Sequence, residues 1–131
     1  MRTRVLIVDD DASHARGMAV GLRLEGFEVE TASDSTQGLS LLAMGSFDLA
    51  VVDLMMPGMN GIQLARLLRE RQPRTRVVLT SAYHLSEPQL RHADCGAVGF
   101  VPKPIDPHQL ASFLRGKLCG RSASNASGAA A

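Results

Sequence analysis

Three consecutive carboxylates, Asp9, Asp10 and Asp11, follow directly on an apolar run at 5–8, and a fourth, Asp53, closes a second apolar run at 49–52. Two hydroxyls, Thr80 and Ser81, end a third run, and Lys103 stands one residue after Pro102, just past a fourth at 98–101. Asp11 reads first as the N-cap of a following helix, because a short side-chain oxygen there accepts an otherwise orphaned N–H. Capping explains one carboxylate but not three in a row with a fourth after a separate apolar run. Packed together without a cation, Asp9, Asp10 and Asp53 would repel and raise one another's pKa values. A hard divalent ion such as Mg2+ resolves this, since it takes oxygen ligands and keeps several waters. Asp53 then reads either as a ligand or as a nucleophile, because carboxylates form aspartyl-phosphate intermediates. Lys103 supplies a cation for an incoming phosphoryl group. A lysine is ordinarily a solvated surface residue, but here flanking prolines and an apolar run hold it in place. Ser81, or failing it Thr80, offers a hydroxyl hydrogen bond.

The elements that must position these residues are also legible. Short β-branched runs at 5–8, 27–32, 49–52, 76–80 and 98–101 alternate with helical periodicity at 12–25, 34–44, 60–71, 86–94 and 106–118. Asp11, Ser33 or Asp34, and Asp106 with Pro107 mark helix starts. Gly26 and Gly45 fall where C-terminal caps belong. Five strands alternating with five helices predict a parallel sheet covered on both faces. The run at 49–52 is wholly apolar, as a central strand should be, whereas 27–31 alternates and suits an edge. In such sheets ligands gather outside the carboxyl ends of the strands. Every polar residue singled out above sits at one of those ends.

Composition removes other classes of function. The chain of 131 residues is 45% hydrophobic, with fourteen Lys+Arg against thirteen Asp+Glu, and lacks the basic excess of a nucleic-acid groove. Aromatics are only 4%, so the core must be aliphatic. No run approaches the roughly 20 apolar residues of a membrane span, and the start turns acidic too soon for a signal peptide. Cys95 and Cys119 form no spaced metal motif, and Cys95 reads as a small packing residue. A reduced, cytoplasmic domain over 1–119 is expected, with 120–131 (GRSASNASGAAA) a disordered tail or the first part of a linker. His14, His84, His92 and His108 show no ligand spacing and read as solvated. Met55, Met56 and Met59 read equally as gap fillers and as partner contacts.

The motifs VLIVDDD at 5–11, DLAVVDLMMPGMNG at 48–61, VVLTSAY at 77–83 and GFVPKP at 99–104 together resemble the receiver domains of two-component response regulators. The resemblance covers roughly 3–118 and implies an α/β, flavodoxin-like (βα)5 fold of strand order 2-1-3-4-5. It implies Asp53 as phosphoacceptor, with Mg2+ (or Mn2+) on Asp10, Asp53 and the Met55 carbonyl, and on Asp9 through water. Ser81 takes the switch-hydroxyl position, Lys103 pairs with the phosphoryl group, Phe100 is the rotating aromatic, and the Lys103–Pro104 bond is cis. The implied partners are a sensor histidine kinase or a histidine phosphotransfer protein and an unidentified downstream target or output domain. The signalling surface would be the fourth helix, fifth strand and fifth helix, with dimerisation there left open. The domain itself would touch neither nucleic acid nor membrane. It would be no turnover enzyme, catalysing only its own phosphorylation and a slow dephosphorylation, because Met55 and Tyr83 flank the site where polar residues would orient a hydrolytic water. Phe100, lacking a hydroxyl, would switch by packing alone.

Three rival readings remain. A haloacid dehalogenase-type phosphatase would need an acid where Met55 stands. A flavodoxin would need a hydroxyl-rich phosphate loop in place of the aspartates. A phosphorylation-independent receiver scaffold would not need the full set of acids, hydroxyl and lysine.

Overall fold

Along β1 (Arg4–Val8), Val5 and Ile7 turn to one face and Leu6 and Val8 to the other, and all four are buried. A strand apolar on both faces belongs inside a sheet layered between helices. The computed structural model, which describes residues 2–83 and 86–123, builds that arrangement. The strands β1, β2 (Glu28–Ala32), β3 (Leu49–Asp53), β4 (Arg76–Ser81) and β5 (Gly99–Pro102) are all parallel, in the order β2-β1-β3-β4-β5. This is the flavodoxin-like (βα)5 order expected of the chain. The central strand β3 is buried at every position, and the edge strand β2 exposes Glu28 and Glu30. Among the described residues, no helix is long and apolar enough to cross a membrane.

The period-2 alternation splits the core in two. On one face, Val5, Ile7, Val29, Leu49, Val51 and Val78 meet Met18 and Leu22 of α1 (Ala12–Leu24) and Leu110 and Leu114 of α5 (Pro107–Ala123). On the other, Leu6, Val8, Ala50, Val52, Val77 and Leu79 meet Leu42 of α2 (Ser35–Met44), Leu64 and Leu68 of α3 (Gly61–Arg71) and the partly buried Leu90 of α4 (Glu87–Ala93). Each fully buried Leu or Val contributes about 1.5–3 kcal/mol, so the two aliphatic layers carry most of the stability. Cys95 is a free, buried member of the second layer.

Local signals place the helix ends. Asp11 caps α1 through the His14 N–H, and Asp34, rather than Ser33, caps α2. Gly26 has φ +99, and the Gly26 and Phe27 N–H groups bond back to Arg23 and Leu22, a Schellman ending. Gly45 ends α2 in extended backbone with φ −158, so it is not a left-handed cap. Instead it makes room for Arg4, whose guanidinium lies 3.0 Å from where a Cβ would stand. The last helix runs to Ala123, five residues past the expected end at 118 and into the segment read as a tail. A stretch with no proline can extend a helix that is already nucleated.

Two sets of contacts tie helices to each other. Arg66 of α3 donates to the carbonyls of Ala93 and Asp94, and Arg69 pairs with the Asp94 carboxylate at 3.1 Å, so the end of α4 is fastened to α3. The start of α4 is closed by its own Ser86–Gln89 capping box. On the opposite face α1 crosses α5 so closely that a Cβ on Gly21 would sit 2.2 Å from Pro107 Cβ. Nearby, Glu25 accepts from His108 Nδ1 at 2.8 Å and from Arg115 at 3.2 Å. His108 is exposed but paired, and His92 is exposed, while His84 lies outside the described residues.

We expect Gly21→Ala to destabilise the fold by about 1–3 kcal/mol in urea unfolding, since the added methyl forces α1 and α5 apart. The Glu25 hydrogen bond raises the His108 pKa above its ordinary 6.5, and the bonds from His108 and Arg115 lower that of Glu25 below 4.5. Stability from protonated His108 is therefore complete below 6.5 and lost as pH rises through the raised value. Stability from ionised Glu25 is present above 4.5 and lost on acidification. Urea midpoints of wild type and His108→Gln should accordingly differ between pH 4.5 and 6.5 and converge as pH rises beyond the His108 transition.

Candidate functional site

Where β1 ends, the Asp9 N–H bonds to Ala32 of β2, which turns the chain out of the sheet with the Asp9 side chain still 3% exposed. Asp9 Oδ1 accepts the Asp11 N–H at 2.9 Å, while Asp10 faces solvent. Asp53 is the last residue of β3 and is 5% exposed, and its Oδ1 accepts the Met55 N–H at 3.2 Å. One carboxylate oxygen from each of Asp9, Asp10 and Asp53 lies within 4.8 Å of the others.

The loop that follows Asp53 is pinned at both ends. Leu54 N–H bonds to Thr80 O at 2.7 Å, and Gly61 N–H returns to Leu54 O at 3.0 Å. Ser35 holds the Met59 carbonyl, and a reciprocal Asn60–Gln63 capping box starts α3. Only glycine fits at 61, because a Cβ would stand 2.6 Å from the Asp53 carbonyl oxygen and 2.8 Å from Leu54 Cα. Met56 is buried and Met59 partly so against the second layer, but Met55 is exposed. Of the three methionines, then, two fill the core edge and one lines the mouth.

Lys103 reaches the same mouth from β5. Its N–H bonds to Ser81 O at 2.8 Å, its peptide bond to Pro104 is cis, and its Nζ lies 3.2 Å from Asp9 Oδ2 and 3.4 Å from Asp53 Oδ2. Ser81 is fully buried at the end of β4, but its Oγ accepts the Tyr83 N–H at 3.0 Å, and among the described residues no hydrogen bond joins it to Asp53. Thr80, also buried, stands opposite Asp53 in the β3–β4 register. Tyr83 projects into solvent at 71% exposure, and Phe100 is half-buried against the second layer.

The charges in the site do not balance. Burial pushes the Asp53 carboxyl up, neighbouring Asp9 adds to the rise, and the Met55 N–H and Lys103 offset it only in part, so its pKa is raised. Burial acts the same way on Asp9, but there the Asp11 N–H, His14 and Lys103 outweigh it and the pKa falls. Burial works to lower the Lys103 pKa, and the two carboxylates overcome it and raise it. One ammonium is thus shared between two buried carboxylates, with a third, Asp10, alongside. An all-oxygen donor set carrying excess negative charge fits a hard divalent cation.

His14 departs from the solvated reading. Its Nδ1 lies 2.8 Å from Asp9 Oδ2, and its Nε2 is buried without a hydrogen-bond partner. The sequence held the signal in position alone: with Asp11 as N-cap, residue 14 is the third of α1 and lies over the end of β1.

A doubly wound parallel domain with an acidic mouth at its strand tips defines the class. Residues 5–115 match the family model of the response regulator receiver domain, and the chain belongs to this family. It is 39% identical over 118 residues to the DNA-binding response regulator MtrA of Mycobacterium tuberculosis, covering 90% of this chain and 51% of that protein. It is 36% identical over 107 residues to the regulatory protein AtoC of Escherichia coli, covering 82% of this chain and 23% of that protein. The chain spans about half the length, or less, of these curated relatives. Among solved structures, a CheY-like receiver domain protein from Methanospirillum hungatei superposes with a TM-score of 0.85 at 28% identity, covering 95% of this chain and 99% of that one. Thermotoga maritima TrrA, solved with Mg2+ and BeF, gives 0.76 at 26% identity over 86% of this chain and 96% of that one.

Replacing Asp53 by Asn removes a buried carboxylate whose folded pKa is raised above the ordinary 3.8. Such a group costs stability once pH rises above its unfolded value. In chelator-treated buffer we expect Asp53→Asn to unfold at higher urea than wild type at neutral pH, with the gap closing as pH falls toward 3.8.

Proposed function

We propose that this receiver accepts a phosphoryl group on Asp53 from a sensor histidine kinase or a histidine phosphotransfer protein. The observation that carries the reading is the meeting of Asp53 with Asp9, Asp10 and the Lys103 ammonium at the strand tips. An Asp53 carboxylate oxygen attacks phosphorus, a P–O bond forms, and the P–N bond to the donor imidazole breaks, leaving the imidazole to take up a proton. Mg2+, or Mn2+ in its place, would be held by Asp10, Asp53 and the Met55 carbonyl, with Asp9 acting through water, and supplies charge neutralisation for the transferred group. Lys103, already 3.4 Å from Asp53 Oδ2, pairs with a phosphoryl oxygen. The Ser81 hydroxyl exchanges its Tyr83 N–H contact for a hydrogen bond to the phosphoryl group. That movement opens space for Phe100 and biases the surface formed by α4, β5 and α5 toward a downstream target or output domain. Signalling of this kind belongs in the cytoplasm, and the domain itself needs no contact with nucleic acid. Neither of the exposed residues Met55 and Tyr83 is an acid or amide suited to orienting a hydrolytic water, so the phosphoryl group is retained for long periods.

Incubation with Mg2+ and acetyl phosphate, read by intact mass, should add one phosphoryl group to wild type and none to Asp53→Ala or to wild type with excess chelator. An unmodified wild-type mass would mark the domain as a phosphorylation-independent scaffold. After removal of donor, the phosphorylated form should outlast that of Met55→Asn, which introduces an amide beside the acceptor.

A further inference from the structure

The carboxylate that the mechanism uses least directly, Asp9, is the one held most rigidly. A carboxylate offers about four acceptor positions, two on each oxygen. Oδ1 takes the Asp11 N–H at 2.9 Å, and Oδ2 takes His14 Nδ1 at 2.8 Å with Lys103 Nζ 3.2 Å away. Both positions on Oδ2 are thereby filled and one remains, on Oδ1. We propose that His14 is a positioning residue that confines Asp9 to single-oxygen contact with the bound cation or its water, and that this restraint selects Mg2+ over Ca2+. The inference rests on the metal-binding reading above.

His14 is suited to such a role. A carboxylate can only accept, so Nδ1 is the donor in this contact. The ring's Nε2 is buried with no hydrogen-bond partner, which leaves Nδ1 as its one polar attachment. The ring does not itself join the ligand set, since among the described residues the group able to hold an ion comprises Asp9, Asp10 and Asp53. Mg2+ needs near-octahedral geometry and keeps waters, whereas Ca2+ takes six to eight oxygens and commonly uses both oxygens of a carboxylate. Freed from His14, Asp9 regains an open position on Oδ2 and can turn to offer both oxygens. The site would then accommodate the larger ion.

The test is calorimetric titration of wild type, His14→Leu and His14→Asn with Mg2+ and, separately, with Ca2+. Leucine fills the volume without a donor, and asparagine restores an N–H near the place of Nδ1. We expect His14→Leu to bind Mg2+ about tenfold more weakly, the size of loss seen when an outer-shell partner of a metal ligand is removed. Its preference for Mg2+ over Ca2+ should narrow, and asparagine should restore most of both. If the leucine variant does not fold, His14→Ala takes its place with the same reading. Unchanged affinity and preference in the donor-less variant would overturn the proposal while leaving metal binding by the site intact. Equal losses for both ions, unrescued by asparagine, would reduce His14 to packing and overturn it too. A wild-type protein that binds no Mg2+ would sink the metal-binding reading itself, and this inference with it.

Discussion

Two carboxylates buried side by side at the ends of neighbouring strands set the terms for everything around them. Asp9 and Asp53 cannot both be ionised in that space without a compensating cation. The ammonium of Lys103, poised between their Oδ2 atoms, is the cation that reaches both. It is held by a main-chain bond to Ser81 at the end of the adjacent strand. Half-neutralised charge is a poor state for a folded protein but suits the proposed arrival of a cation and then an anion. Burial first, and the Asp9 charge after it, raise the Asp53 pKa, and Lys103 offsets this only in part.

The scaffold tolerates this because the stabilising work is done elsewhere. Both aliphatic layers lie along the strands, beneath the mouth, and the strand order puts β1 and β3 side by side so that Asp9 and Asp53 emerge as neighbours. The loop after Asp53 is stiff by construction, with Gly61 pressed against the Asp53 carbonyl and the Asn60–Gln63 box closing the turn. The acidic residues therefore need not find one another, since the backbone delivers them preformed.

Much of this was legible before any coordinates. Asp9, Asp10, Asp53 and Lys103 were visible because each follows an apolar run, and a strand's end is fixed by where its apolar residues stop. The helix caps at Asp11 and Asp34 were visible because capping is a local bargain between a side chain and its own first turn. His14 was misread because its partner is chosen by the three-dimensional overlap of a helix start with a strand end, which no spacing rule in one element reports. The Gly21–Pro107 approach and the Glu25–His108 pair were invisible for the same reason, joining residues far apart in the chain across two helices. Gly45 resembled a left-handed cap but yields space to Arg4 instead, so the same residue type served a different physical need. Helix α5 ran past its expected end because a helix already nucleated can be continued by residues that would not have begun one.

The attachment of α4 carries a mechanical consequence. The carbonyls of Ala93 and Asp94 at its end are gripped by Arg66 and the Asp94 carboxylate by Arg69, both from α3, whereas among the described residues its first turn is closed by its own capping box. A short rod held at one end swings most easily about that hold. In this protein the end away from the hold is the one that follows Ser81 and Tyr83 in the chain, so a disturbance at the strand tip would meet the helix where it is longest on the lever arm.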